Sequence, residues 1–328
     1  MTDGLKNGYG GRLVPVTEAA AILARGGVVA FPTETVYGLG AVARQAEAVQ
    51  RVFAIKGRPP SHPVIVHLAD SAAIGEFAAD VPEAAVRLAE AFWPGPLTLV
   101  LRRRPDVPQV ITGGQNTIAI RVPAHPVAQA LIRACGHALV GPSANRFGCV
   151  SPTTPQHVLQ EFGGAVPVVD GGECQVGIES TIVDVSAGVP RLLRPGIIDS
   201  DAIETVLHVS LATGTDEAPR VPGSLPSHYA PRTPVCLWTA ETLAAEAARR
   251  LARGERVAVL ATDRVAVPSG CINQRLPRER NGFAHGLYGA LRELDAHGCD
   301  VILAEAPSGD AAWSGIRDRL QRAAVSSI

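Results

Sequence analysis

Lysine is almost absent from this chain. Lys and Arg total 30, and only Lys6 and Lys56 are lysine, so nearly every cation is a planar guanidinium and Lys56 stands out as a compact point charge. Aromatic residues make up 4% of the sequence, too few for a platform on which nucleic-acid bases stack. Six cysteines are scattered at 135, 149, 174, 236, 271 and 299 with no C-x-x-C. That excludes a disulfide framework and a zinc module, and it predicts a reducing, cytoplasmic setting. No apolar run approaches a membrane span, and the opening MTDGLKNGYGG has no apolar signal core, so no membrane association is expected. A net charge of −1 excludes a global attraction to nucleic acid or anionic lipid, so any basic patch must be local.

What is present is enough apolar material, 46% of 328 residues, for a full core and two domains. Apolar periodicity predicts helices over 17–25, 45–55, 71–79, 82–92, 126–134 and 154–162. Strands are predicted at 28–31, 63–68, LTLVLRR, 117–122, ALV before GPSAN, PVVD, STIVDV and PRLLRPG. Their irregular order predicts a large α/β domain with a mixed sheet over 12–207. From 208 to 234 the pattern dissolves into a stretch with five prolines, read as a linker that is either disordered or functional. Beyond it, strands alternate with helices over 241–252, 284–296 and 312–324. This predicts a small Rossmann-like domain over 235–328, without the G-x-G-x-x-G of a dinucleotide site.

The chemistry concentrates in a few loops. PTETVYGLG offers the hydroxyls of Thr33, Thr35 and Tyr37, with Gly38 and Gly40 allowing close backbone approach. KGRPPSHPVIVH sets Lys56 and Arg58 two residues apart, a pair of like charges that a polyphosphate would reconcile, followed by His62 and His67. GPSAN, with Ser143 and Asn145, reads as an anion nest. Ser151, Ser180 and Arg194 sit at strand ends, and Thr117 and Arg121 share one strand face, which predicts a hydroxyl beside Arg121. With few acids expected among these loops, the set suits phosphates and carboxylates. It carries no Ser-His-Asp order, carboxylate pair or Walker loop.

PTETVYGLG, KGRP, WPGP-LTLVL, RVP, GPSAN, STIVD, LRPG and HYAP, in this order, resemble the threonylcarbamoyl-AMP synthase family in the long, two-domain form of the YrdC-like proteins. The resemblance implies a YrdC-like domain with a twisted mixed sheet. It also implies a reaction of L-threonine, bicarbonate and ATP that yields threonylcarbamoyl-AMP, for a partner transferase that modifies tRNA. The length and prolines of the linker and its His228-Tyr229 pair predict that 221–231 folds back over the first domain's pocket, with Tyr229 against the nucleotide. By motif, Lys56, Arg58, His62, Thr117, Ser143, Asn145, Ser151, Arg194 and Tyr229 would hold the nucleotide. Thr35, His67, Arg121 and Ser180 would hold threonine. Mg2+ is expected on the phosphates, with no protein metal site. The alternative implied by the same fold is a module binding double-stranded RNA or tRNA without turnover, with Arg102, Arg103 and Arg104 as its basic face.

Overall fold

The computed structural model describes residues 12–212, 218–223 and 228–324. Lys6 and parts of the Pro-rich stretch lie outside the described residues. The first unit opens with β1 (Leu13–Val14), α1 (Val16–Ala24), β2 (Val29–Phe31), β3 (Gly38–Val42), α2 (Ala46–Lys56) and β4 (Ile65–His67). It continues with α3 (Glu83–Phe92), β5 (Leu97–Arg102), α4 (Gln109–Thr112), β6 (Thr117–Arg121), α5 (Pro126–Cys135) and β7 (Leu139–Val140). Then follow α6 (Pro155–Phe162), β8 (Val168–Val169), β9 (Thr181–Asp184), β10 (Arg191–Arg194) and α7 (Ser200–Leu207). Its strands form one ten-stranded sheet in the order β1-β8-β2-β3-β7-β4-β6-β5-β9-β10, with parallel and antiparallel pairs mixed.

The second unit is β11 (Val235–Trp238), α8 (Ala240–Leu251), β12 (Val257–Ala261), β13 (Ile272–Arg275), α9 (Arg280–Ala296), β14 (Val301–Glu305) and α10 (Ser314–Ala323). Its four strands are all parallel, in the order β11-β14-β12-β13.

Local chemistry explains where the expected elements shift. The segment predicted helical over 71–79 makes only a 3₁₀ turn, Ser71–Glu76, with Asp70 accepting from the Ala72 N–H. Helix α9 begins at Arg280, not 284, because the Glu279 carboxylate caps it and overrides the poor helix formers Asn281 and Gly282. Helix α7, at the end of the first unit, starts where Asp199 accepts from the Ala202 N–H. β1, α4 and β13 are too short or too polar to show an apolar period.

The two units share a core. Val36, Val150 and Ile178 of the first pack with Phe283, Leu287, Leu291, Ile316 and Leu320 of the second. A buried polar bridge crosses the same boundary. Arg319 of α10 donates from Nε to Glu179 Oε2 at 2.7 Å, and Tyr288 of α9 donates to the same oxygen at 2.8 Å. Ser151 donates to the other oxygen at 2.5 Å. Burial alone would raise the Glu179 carboxyl, but Arg319 and then Arg194 outweigh it and hold the group down to about 2.

Arg319→Ala should therefore leave an unpaired buried carboxylate and cost about 3–5 kcal/mol in denaturant unfolding. Because Glu179 is depressed in the folded state, its stabilising contribution is present above its unfolded pKa and fades as pH falls toward about 2. Unfolding of Arg319→Ala within 1 kcal/mol of the parent, roughly the worth of a surface pair, would show that the bridge is not structural.

Candidate active site

One pocket opens on a face of the large sheet. The parallel register sets His67 opposite Arg121 and Ile65 opposite Ala119, so these four side chains share that face. The loop from β2 to β3, the turn after β7 and the start of β9 complete the walls. The pocket is open to solvent, and polar side chains with Gly38, Gly141 and Gly223 line it.

The residues expected to hold threonine all line it: Thr35, His67, Arg121 and Ser180. Arg121 is 3% exposed and donates from Nη1 to Thr35 Oγ1 at 2.9 Å and from Nε to the Gly95 carbonyl at 3.1 Å. Thr117 was expected to supply the neighbouring hydroxyl. It does not, because four residues of extended chain span about 13 Å; the hydroxyl at Arg121 is that of Thr35. His67 packs edge-on to Phe31, and burial followed by the Arg121 charge pushes it down to about 3, so it is a neutral imidazole.

Of the expected nucleotide residues, Arg58, Ser143, Arg194 and Tyr229 line the pocket. Arg194 donates to the Ser180 carbonyl and hydroxyl and, at 3.0 Å, to the Pro222 carbonyl. Arg58 donates to the Pro63 carbonyl at 2.8 Å and lies over the Phe147 ring. Lys56, Asn145 and Ser151 stand behind the lining. Lys56 Nζ donates to the Ser143 and Asn145 carbonyls, both at 2.6 Å, which ties α2 to the turn after β7 and leaves a third N–H. Burial, then the adjacent Arg58, lowers the Lys56 ammonium to about 7. His62 packs its ring edge against Phe147, outside the pocket. Tyr37 is also elsewhere: its hydroxyl donates to the Gly172 carbonyl. A side chain at Gly38 or Gly40 would press on the Phe31 ring, and Gly38 also lines the pocket.

Part of the Pro-rich stretch roofs the pocket. Val221 is buried among Ile65, Val100, Ala119 and Ile182, and Pro222, Gly223, His228 and Tyr229 join the lining. Tyr229 adopts φ +62, a strained conformation for a bulky residue, and is held by a stack on Tyr288 and by Arg319 over its ring. Its hydroxyl lies against the Gly223 backbone, where any side chain would collide.

Eight buried side-chain polar atoms have no hydrogen-bond partner among the described residues, and seven of them belong to this neighbourhood. They include Arg58 Nε, His67 Nδ1, Asn145 Oδ1 and His228 Nδ1. The remaining three belong to Glu34 and Arg121, which face each other as an ion pair at 2.7 Å but out of line for a hydrogen bond. Native interiors rarely leave such groups unmet, so their concentration here marks a ligand site.

Two acids stand among these cations. Glu34 and Glu179 stand in the PTET and EST motifs and are both buried at the site, one on Arg121 and the other on Arg319. These acids neutralise part of the site's positive charge and leave Arg58 and Arg194 without an acidic ion-pair partner among the described residues, and the motif letters themselves showed both acids. Arg319 and Tyr288 carried no such signal, since their sequence neighbours have no part in the site, whereas Phe147 follows the GPSAN motif by two residues. Among the described residues no three metal-ligating side chains gather, and the two carboxylates are engaged by arginines, so these residues do not form a cage for Mg2+. Arg103 spends its guanidinium on the carbonyls of Arg104, Pro105, Val107 and Gln115, Arg104 pairs with Asp106, and Arg102 donates to the Ser186 carbonyl.

Comparison with known proteins places this geometry. Residues 21–196 match the Sua5/YciO/YrdC family, described as "Telomere recombination". Residues 198–325 match the family described as "Threonylcarbamoyl-AMP synthase, C-terminal domain". The chain is 41% identical to the threonylcarbamoyl-AMP synthase of Bacillus subtilis, covering 94% of this chain and 92% of the relative. It is 38% identical to that of Pyrococcus abyssi, over 93% and 92% of the two chains. The solved structure of P. abyssi Sua5 complexed with L-threonine superposes with a TM-score of 0.88 at 37% identity, covering 94% of this chain and 93% of the other. With the mixed sheet, the smaller parallel unit and both sequence matches in agreement, the chain belongs to the Sua5 family of threonylcarbamoyl-AMP synthases, in its two-domain form.

Proposed function

We infer that this protein is an L-threonylcarbamoyladenylate synthase, which condenses L-threonine, bicarbonate and ATP into threonylcarbamoyl-AMP and pyrophosphate. The observation that carries this reading is the cluster of unmet buried polar atoms of both kinds, donors and acceptors, around one pocket in a chain of this family. The threonine nitrogen forms a bond to the bicarbonate carbon and water leaves, giving a carbamate. A carbamate oxygen then attacks the α-phosphorus, and the bond to the bridging oxygen of pyrophosphate breaks. Neither step needs an enzyme nucleophile, so the residues act by positioning and by neutralising charge.

In this reading Arg121, steadied by Glu34 and Thr35, receives the threonine carboxylate, with neutral His67 and the Ser180 hydroxyl beside it. Arg58 and Arg194 face the phosphates, with Lys56 reaching past the Ser143 turn, and Asn145, Ser151, Thr117 and His62 complete a broader nucleotide environment. Mg2+ would arrive on the triphosphate and keep water as its other ligands. The parts of the Pro-rich stretch at 221–223 and 228–231 act as a roof that excludes water from the acyl-adenylate, with Tyr229 against the nucleotide. The division into a catalytic unit over 12–207, this linker and a Rossmann-like unit from 235 follows the same logic, with the second unit supplying Arg319 and Tyr288 behind the pocket. The product would pass to a tRNA threonylcarbamoyl transferase in the cytoplasm. No helix among the described residues is long and apolar enough to cross a membrane, and all six cysteines are free thiols, as a reducing compartment allows. Weak contact with tRNA or double-stranded RNA through Arg102–Arg104 gains little support, because these guanidiniums are turned back onto the protein.

The direct test is to incubate the protein with threonine, bicarbonate and ATP and to look by mass spectrometry for threonylcarbamoyl-AMP and pyrophosphate. Salt-sensitive RNA binding with no such product would favour the binding-module reading.

Lys56→Ala should lower the synthesis rate by about 10²-fold or more, the scale of one preorganised electrostatic contact. Lys56→Arg should recover only part of it, because a planar fork does not fill a point charge's place. Full activity in the alanine variant would reduce Lys56 to a tie between α2 and the turn.

The lowered Lys56 ammonium also sets a pH dependence. With a free-protein value of about 7, it is largely neutral at pH 8, and a bound polyphosphate would raise it again. ATP binding should therefore take up as much as about one proton at that pH, and affinity should fall as pH rises above neutrality. Calorimetry in buffers of different ionisation heat measures this uptake, which should vanish in Lys56→Met. An uptake unchanged in that variant would place the titrating group elsewhere.

Amino-acid choice follows from the hydroxyls around Arg121. A site that bonds a substrate hydroxyl rejects an analogue lacking it far better than one lacking a methyl. Valine should be nearly inert and serine weakly accepted in the same mass-spectrometric assay. Comparable turnover of valine and threonine would rule out hydroxyl recognition.

A further inference from the structure

The second unit has a crevice of its own. In open parallel sheets, ligands bind beyond the carboxyl ends of adjacent strands whose onward connections leave to opposite faces. β11 and β14 are such a pair. They are hydrogen-bonded neighbours, and β11 leads to α8 while β14 leads to α10. Leu243 and Ala247 of α8 pack with Val257, Val259, Val301 and Leu303. Ile316 and Leu320 of α10 pack with the alternate residues Ala258, Leu260, Ile302 and Ala304. Alternation along a strand means opposite faces, so the two helices flank the sheet from its two sides.

At that switch point the structure opens a solvent-facing crevice lined by Thr239, Thr262, Glu305 and Trp313 among others. Its chemistry is specific. Glu305, the last residue of β14, is 8% exposed. One of its oxygens accepts from the Thr262 N–H at 2.6 Å, and the other has no hydrogen-bond partner among the described residues. A largely buried carboxylate that lines a crevice, with one oxygen open to it, can accept from a ligand's donor. The Trp313 ring, braced edge-on by Phe283 at 5.5 Å, also lines the crevice and offers an aromatic surface. Arg264 lies on the rim and is exposed, and its guanidinium has no ion pair or hydrogen bond among the described residues, whereas Arg278 is already paired with Asp263. Glu241 and Asp310 also face the cavity and disfavour a highly charged anion.

From this arrangement we propose that the crevice at the carboxyl ends of β11 and β14 binds a ribonucleoside monophosphate. The ribose diol donates to Glu305, the base lies against Trp313, and the single phosphate meets Arg264. The missing glycine-rich turn fits a ligand without a pyrophosphate, and the two rim acids select against a triphosphate. This site is separate from the pocket on the large sheet and does not depend on the reaction assigned there.

The test uses the full chain with AMP and UMP as probes. Hydrogen–deuterium exchange should show protection of 239–243 and 305–313 at millimolar nucleotide, and equilibrium dialysis gives the affinity. Glu305→Gln should weaken AMP at these segments by about tenfold or more, the scale of losing a charge-assisted hydrogen bond, and 2′,3′-dideoxy-AMP should show the same loss on the parent protein. Arg264→Ala, an exposed change that leaves folding intact, should weaken AMP severalfold and leave adenosine unaffected. Both variants should make threonylcarbamoyl-AMP at the parent's basal rate, since neither residue touches that pocket. The proposal is overturned if neither nucleotide protects these segments, if ATP binds there more tightly than AMP, or if the dideoxy analogue and the Arg264→Ala protein bind as well as their references.

Discussion

The carboxylate of Glu179 is the point on which both halves of this protein converge. It is buried and close to Arg194 of the first unit, yet its strongest partners, Arg319 and Tyr288, come from the second. A charge this deep is tolerated only when its lone pairs are met by fixed donors, so neither unit closes its interior without the other. The same guanidinium lies over the Tyr229 ring and thereby holds the roof of the pocket in a backbone conformation that a tyrosine would not otherwise adopt. One ion pair thus links the domain boundary, the strap and the candidate active site.

This arrangement changes the part that the second unit plays. As a mere anchor for a linker it would need only apolar contact. Instead α9 and α10 reach the wall behind the pocket through Tyr288, Arg292 and Arg319, each bonded to a group of the first unit. At the pocket itself the logic is reversed. There, buried donors and acceptors are left unmet in the protein, which is costly for folding and useful only if a ligand completes them.

Much of the fold was legible because its elements are apolar in a simple period. The strands ending in His67 and Arg121, the helix before Lys56 and the αβ alternation after 235 all follow from patterning and capping. The elements that were not legible, β1, β3, α4, α7 and β13, are two to eight residues long, and β3 opens inside the glycine-rich segment that reads as a loop. The start of α9 was misplaced because Asn281 and Gly282 are poor helix formers that a capping carboxylate and a shared core overcome.

The sequence by itself determined which chemical groups the site could contain: the sparing use of lysine, the hydroxyl-rich loops, the arginines at strand ends and the ordered motifs of the family. It also carried Glu34 and Glu179 in plain view, though nothing in a linear string says which cation a buried acid will meet. Tertiary structure decided the partnerships. It put Thr35, not Thr117, beside Arg121, turned Tyr37 away, set Lys56 behind the Ser143 turn, and brought Arg319 across 140 residues to Glu179. The reason is physical. Periodicity and composition act over a few residues, whereas desolvated charges choose partners by distance and line of approach, which exist only once the chain has folded.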